Sequence, residues 1–187
     1  MTEYEKMVAG HPYNINDPEL VEIRYQTRDK TDEFNQLSSR QVEEKNALIK
    51  SIFKQIGDNV HLEKGVRVDY GINTVLGNNV FINYNFVVLD CCPLTIGDNV
   101  FIAPNVQMYT AIHPLDPQER KQHIGQAMPI TIEDDVWIGG GSIILPGVTI
   151  GKGTTIGAGS VVNKSIPANC VAVGNPCKVV RSLEFAQ

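Results

Sequence analysis

The stretch TIEDDVWIGGGSIILPGVTIGKGTTIGAGSVV, residues 131–162, repeats itself every six residues. Its aliphatic positions are Ile132, Ile138, Ile144, Ile150, Ile156 and Val162, in unbroken succession. Small or β-branched residues stand four places after them, at Val136, Ser142, Val148, Thr154 and Ser160, and glycine often follows directly, at Gly139, Gly151 and Gly157. A helix cannot use this pattern, because a period of six drifts around a 3.6-residue turn and each interior glycine costs about 1 kcal/mol. Short strands joined by tight corners can. Each hexad then supplies one strand of a flat face, with Gly, Asn or Asp at a corner where positive φ is tolerated. Three hexads close one triangular coil.

Toward the N-terminus the same beat returns at Ile96, Ile102 and Met108, at Leu76, Ile82 and Val88, and at Ile56, Leu62 and Val68. Val60, Val66, Ile72, Val80, Val100 and Val106 fill the small position, and Gly57-Asp58-Asn59, Gly77-Asn78-Asn79 and Gly97-Asp98-Asn99 read as corners. The steps from 56 to 76 and from 76 to 96 each exceed an eighteen-residue coil by two residues, as a corner insertion would give. Stacked coils bury the aliphatic ladder and cover one another's strand edges. The expected fold is therefore mainly β, a parallel β-helix of hexapeptide repeats over residues 56–178, with a tail at 179–187.

Two segments break the pattern. Between Met108 and Ile130 runs MYTAIHPLDPQERKQHIGQAMPI, an inserted loop at about 109–129. A polar, proline-bearing loop of this length inside a regular repeat points to function. Residues 1–55 are charged and nearly free of glycine, and they read as a helical cap over the first coil's open edge. Asp17-Pro18 starts a helix that runs to about Leu37, and Ser38-Ser39-Arg40-Gln41 reads as a capping-box start for a second, carrying Val42, Ile49, Ile52 and Phe53.

The totals narrow the function classes. The 187 residues carry a net charge of -5, which speaks against a nucleic-acid surface. No apolar run approaches the ~20 residues of a membrane span, and MTEYEKMVAG lacks the charged and apolar regions of a signal peptide. A cytoplasmic protein without a membrane partner is expected. Cys91, Cys92, Cys170 and Cys177 form no C-x-x-C pair or Cys/His comb, so structural thiols and no metal are expected.

Particular strings go beyond the repeat. EKMVAG at 5–10, DEFN at 32–35, VDYG at 68–71, NYNFVVLD at 83–90, AIHPLDP at 111–117, VWIGGGSIILPGVTIG at 136–151 and GNPCKVV at 174–180 together resemble the maltose/galactoside O-acetyltransferase family almost end to end. HPLDP and VDYG look closer to its maltose branch. The resemblance implies a left-handed winding and a homotrimer with active sites between subunits. It also implies transfer of acetyl from acetyl-CoA, as co-substrate, to a hydroxyl, the 6-OH of maltose, glucose or a related sugar. His113 would be the general base, a role that suits an imidazole titrating near pH ~6.5. Gly140 would offer a backbone N–H to the oxyanion and also border the cofactor. Asn83 would hold the acceptor and the histidine, with Asp69, Arg24 and Cys91 at the acceptor. Ala158 and Asn163 would line the cofactor groove, and Lys164, Lys178 and Arg181 would meet its phosphates. Trp137 would pack at the subunit interface or beside the pantetheine arm.

Two departures bear on the acceptor: some galactoside-type members carry an acidic residue where Cys91 stands, and some carry a larger side chain where Gly125 stands. Few acceptor contacts can be read from the sequence, so a galactoside, an antibiotic, serine or a lipid-linked sugar stays open as acceptor. A γ-carbonic-anhydrase-like metalloenzyme needs three convergent histidines, and His61, His113 and His123 do not fall on equivalent coil positions. A non-catalytic scaffold or ice-binding face needs an ordered array of threonines, and these are scattered. His11, His61 and His123 receive no role.

Overall fold

The computed structural model describes residues 1–184. Three parallel sheets form the sides of a triangular prism. The first face stacks Gln55–Ile56, Thr74–Leu76, Leu94–Ile96, Ile130–Ile132 and Thr149–Ile150. The second stacks His61–Leu62, Phe81–Ile82, Phe101–Ile102, Trp137–Ile138, Thr155–Ile156 and Cys170–Val173. The third stacks Arg67–Val68, Val87–Leu89, Gln107–Tyr109, Ile143–Ile144 and Val161–Val162. Register is set by the aliphatic position, so that Leu62, Ile82, Ile102, Ile138 and Ile156 align, each buried. Burying one such side chain is worth about 1.5–3 kcal/mol, which makes this ladder the main source of stability.

The corners divide the labour differently from the sequence expectation. Gly57, Gly77, Gly97, Gly139, Gly151 and Gly157 do not have positive φ; at the first corner that conformation falls on Asn59, Asn79, Asn99 and Asp135. Glycine stands at position 77 because a Cβ there would come within 2.6 Å of the Gly97 carbonyl carbon in the next coil. The left-handed asparagines stack, Asn59 Nδ2 donating to Asn79 Oδ1, Asn79 to Asn99 and Asn99 to Asp135, each at 3.0 Å.

All the length irregularities lie at the third corner, between the third and first faces. Val68 to Leu76, Val88 to Ile96 and Met108 to Ile132 each overrun the six-residue step there, whereas Ile144 to Ile150 keeps it. Ile72 accordingly points out of the ladder and is 37% exposed, because it falls within the first overrun.

The N-terminal region packs in two places. Helices α2 (Pro18–Gln36) and α3 (Val42–Ile52) close the prism's open end, where Phe34, Ile49, Ile52 and Phe53 join the ladder's cluster. Asp17 caps α2 as expected, accepting from the Glu19 amide. Only half of the capping box at Ser38 forms: Gln41 Oε1 accepts from the Ser38 amide at 2.8 Å, but the Ser38 hydroxyl accepts from the Arg40 amide within the turn, and the N-cap of α3 is Gln41. Ahead of α2, the six-residue helix α1 (Glu3–Val8) and strand Tyr13–Asn14 lie beside the third corner, where Met7, Tyr13, Leu20, Tyr70, Cys91, Cys92 and Ala127 form a second buried cluster. The inserted segment is itself ordered. Ala111–Ile112 and Ile124–Ala127 pair antiparallel, and Tyr13–Asn14 adds a third strand. Within the segment expected as a tail, Lys178–Ser182 pairs antiparallel with Cys170–Val173; residues 185–187 lie outside the described residues.

Candidate functional site

Third-corner residues enclose a cavity of about 180 Å³ lined by Arg24, Asp69, Cys91 and His113, with Tyr13, Ile15 and Tyr70 among its other walls. Asp69 and Tyr70 follow the strand Arg67–Val68, in a turn whose next residue, Gly71, has φ 69° and lies so close to the Ile52 carbonyl that no Cβ fits. Arg24 reaches across from α2, donating through Nη1 to the Tyr70 hydroxyl at 2.5 Å and through Nη2 to the Ile15 carbonyl at 2.9 Å. A planar fork held at both ends has little freedom left to lose on binding. His113 follows the strand Ala111–Ile112 directly; it is exposed, and no side-chain hydrogen bond holds its ring among the described residues.

Behind this wall sits Asp90, fully buried and held by neutral partners. Its carboxylate accepts from the Tyr70 amide and the Thr74 hydroxyl, each at 2.8 Å, and its carbonyl accepts from Asn73 Nδ2 at 2.7 Å. Burial outweighs these bonds and raises the carboxyl to about 6. Cys91 is 5% exposed, and burial pushes its thiol up to about 12. A thiol held protonated at neutral pH is a weak nucleophile, which suits Cys91 to a wall of the cavity. Gly125 lies beneath Tyr13, where a Cβ would meet Ile15 Cγ2 at 2.7 Å and the Tyr13 ring at 3.0 Å. A larger residue there would push Tyr13 and Ile15 from the cavity wall.

The remaining expected residues lie elsewhere on the chain. Asn83, Gly140 and Ala158 lie at the second corner, between the second and third faces, with the whole third face separating them from His113. Asn83 Oδ1 accepts from the Tyr84 amide at 2.8 Å. Flanking amides are bonded, Gly141 to the Pro104 carbonyl and Gly159 to the Gly140 carbonyl, but the Gly140 and Ala158 N–H groups have no acceptor among the described residues. Two unpaired amides stacked on one edge are ready donors for an incoming oxygen. Asn163 and Lys164 follow the strand Val161–Val162, while Lys178 and Arg181 project from Lys178–Ser182; all four are exposed. No ion pair ties the three cations among the described residues, which leaves them open to an anion. Trp137 is 54% exposed, in an outward row with Phe81 and Phe101 on the second face.

Several residues of the cavity escaped the sequence reading, Arg28, Tyr13, Ile15 and Tyr70 among them. Arg28 donates through Nη2 to Asp69 Oδ1 at 3.1 Å; it lies four residues from Arg24 on α2, so helical spacing could have found it. Tyr13, Ile15 and Tyr70 carry no such signal, because the first two depend on pairing with the distant strand Ile124–Ala127.

A triangular prism of six-residue steps with free amides along one corner and a histidine cavity at another defines a hexapeptide-repeat transferase. Accordingly, residues 129–164 match the bacterial transferase hexapeptide model (six repeats), and residues 6–57 match the maltose acetyltransferase hexapeptide capping motif. The chain belongs to the maltose/galactoside O-acetyltransferase family and is an acetyl-CoA-dependent O-acetyltransferase. It is 48% identical to a maltose O-acetyltransferase from Clostridium difficile 630 whose crystal structure superposes with a TM-score of 0.97, covering 99% of each chain. A galactoside acetyltransferase in complex with coenzyme A is 41% identical, with a TM-score of 0.95 over 98% of this chain and 92% of that one. A putative acetyltransferase of Saccharomyces cerevisiae is 49% identical over 96% of this chain and 92% of its own length. With this match the winding is left-handed. No helix is long and apolar enough to cross a membrane, and no group of three or more His, Cys, Asp or Glu could hold a metal among the described residues.

Proposed function

We propose that the protein transfers acetyl to a hydroxyl, the 6-OH, of maltose, glucose or a related sugar, in sites built between the subunits of a homotrimer. The observation that carries this reading is the division of one site over two corners. His113, Asp69, Arg24 and Cys91 share a cavity at the third corner, while Asn83 and the unpaired amides of Gly140 and Ala158 occupy the second. One chain cannot bring the two sets together. Three prisms packed side by side, each third corner against a neighbour's second, complete three sites by symmetry. The outward row of Phe81, Phe101 and Trp137 supplies apolar surface for that packing.

Acetyl-CoA supplies an activated acetyl thioester. Around it, the residues of this chain do the rest. Arg24 and Asp69 orient the sugar, and His113 accepts the proton of the attacking hydroxyl. Asn83 of a neighbouring subunit supports the ring that no bond holds within one chain. The Gly140 amide faces the charge that develops on the thioester oxygen, and Ala158 and Asn163 border the pantetheine arm. Lys164, Lys178 and Arg181 meet the phosphates. The hydroxyl attacks the thioester directly, since the protonated Cys91 thiol offers no covalent relay. Four buried cysteines without disulfides fit a reducing, cytoplasmic setting.

The test follows thiol release from acetyl-CoA with maltose, glucose, a galactoside, chloramphenicol and serine, then repeats the best acceptor with His113→Ala. We expect a sugar to rank first and the variant to lose roughly 10²–10⁴ in kcat while still binding acetyl-CoA. A non-sugar acceptor in first place refutes the substrate class. Near-native kcat in the variant refutes the base.

A further inference from the structure

A second cavity, of about 370 Å³, opens next to the His113 cavity and takes its walls from Arg28, Asp32, Arg67, Asp69, Val88 and Leu89 among others. Arg28, Asp69 and Leu89 line both, so the two adjoin along the third face. The nearer cavity alone, at about 180 Å³, is below the ~300–1,000 Å³ typical of ligand sites, whereas the pair together falls within that range.

The chemistry of the second cavity is distinctive. Arg28 pairs with Asp69 at 3.1 Å, and Arg67 pairs with Asp32. Two guanidinium groups thus face two carboxylates, and their formal charges cancel. Both sides of the Arg67–Asp32 pair are more than half exposed, at 61% and 57%, and pairs so placed contribute ~0–1 kcal/mol to stability. They have little to do as glue for the fold. What they offer is an alternating array of donors and acceptors beside the half-buried, outward-facing Leu89. Vicinal hydroxyls, each both donor and acceptor, match such an array, whereas an anion would meet the carboxylates and a cation the guanidinium groups.

We propose that this cavity is a second acceptor subsite, which binds the next ring of a neutral oligosaccharide whose terminal ring lies beside His113. The proposal rests on the sugar-acceptor reading above and adds that the preferred acceptor has at least two rings. Arg67 and Asp32 contact only the second ring, and Arg28, shared by both cavities, sits at the junction.

The test compares glucose with maltose as acceptors for the wild type, Arg67→Ala and Arg67→Lys, again by thiol release from acetyl-CoA. In Arg67→Ala the ratio of kcat/KM for maltose to that for glucose should fall about tenfold, the loss of one hydrogen bond to a charged group. Arg67→Lys, which keeps a donor and a charge, should recover part of it. Saturation-transfer NMR on the wild type should show contact with both rings of maltose. A ratio that stays within twofold of wild type in Arg67→Ala, or a second ring without saturation, overturns the subsite while leaving the sugar-acceptor reading intact. A wild type that releases thiol with neither sugar overturns both.

Discussion

Asp90 is a carboxylate surrounded by neutral groups, and it sits one layer behind the His113 cavity. Its bond to the Tyr70 amide fixes the residue whose hydroxyl receives Arg24, so its influence on the cavity wall passes through Tyr70. That position has a cost at neutral pH. The carboxyl rises from 3.8 to about 6 on folding, so between those values the folded chain holds the proton more tightly than the unfolded chain does. Asp90 therefore contributes stability below about pH 4, and the contribution is lost as pH rises through about 6, by about 3 kcal/mol in all. Asp90→Asn removes the titration while keeping an acceptor for the Tyr70 amide. Measured by urea unfolding at pH 4 and pH 7.5, the stability of the variant relative to wild type should improve at the higher pH. A difference independent of pH would mean that the buried carboxylate is compensated by a charge.

At the scale of one strand and its corner, the prism depends on how closely successive coils approach. Gly77 abuts the backbone of Gly97, and backbone cannot step aside as a side-chain tip can. Gly77→Ala should thus destabilise the chain by about 1–3 kcal/mol, read as a lower urea midpoint, although alanine is the better residue in most contexts. An unchanged midpoint would show that the coils can part there. The repeat was legible in the sequence because the aliphatic beat depends on one face of one strand at a time. What the glycines do was misread for the same reason. Gly followed by Asp-Asn suggests a turn in which glycine takes the unusual conformation, and only the neighbouring coil, twenty residues away, reveals that the asparagine takes it. The inserted segment's strands were hidden likewise, since Ile124–Ala127 needs Tyr13–Asn14 as its edge partner.

For the whole molecule, the proposed division of the site has an arithmetic consequence. Suppose His113→Ala and Asn83→Ala chains, each nearly inactive alone, are unfolded together in equal amounts and refolded. If third corners meet second corners around a threefold axis, every mixed trimer contains one site with both residues intact, and roughly a quarter of wild-type activity should return. Recovery close to zero would place both residues in sites made by single chains. The family strings named these residues from sequence alone, but nothing in a linear chain could say that His113 and Asn83 fall on different edges of a prism, because that depends on the closing of three six-residue steps. The same geometry explains how such a protein can change its substrate without rebuilding itself. At the third corner the chain leaves the stack and rejoins it in register after two extra residues or eighteen. Length there is free, whereas at the other corners an added residue would turn every later strand inside out. With the acceptor held at that corner, as proposed, its preference can drift by insertion and deletion along that edge, as the text of a margin can be rewritten while the ruled lines of the page stay where they are.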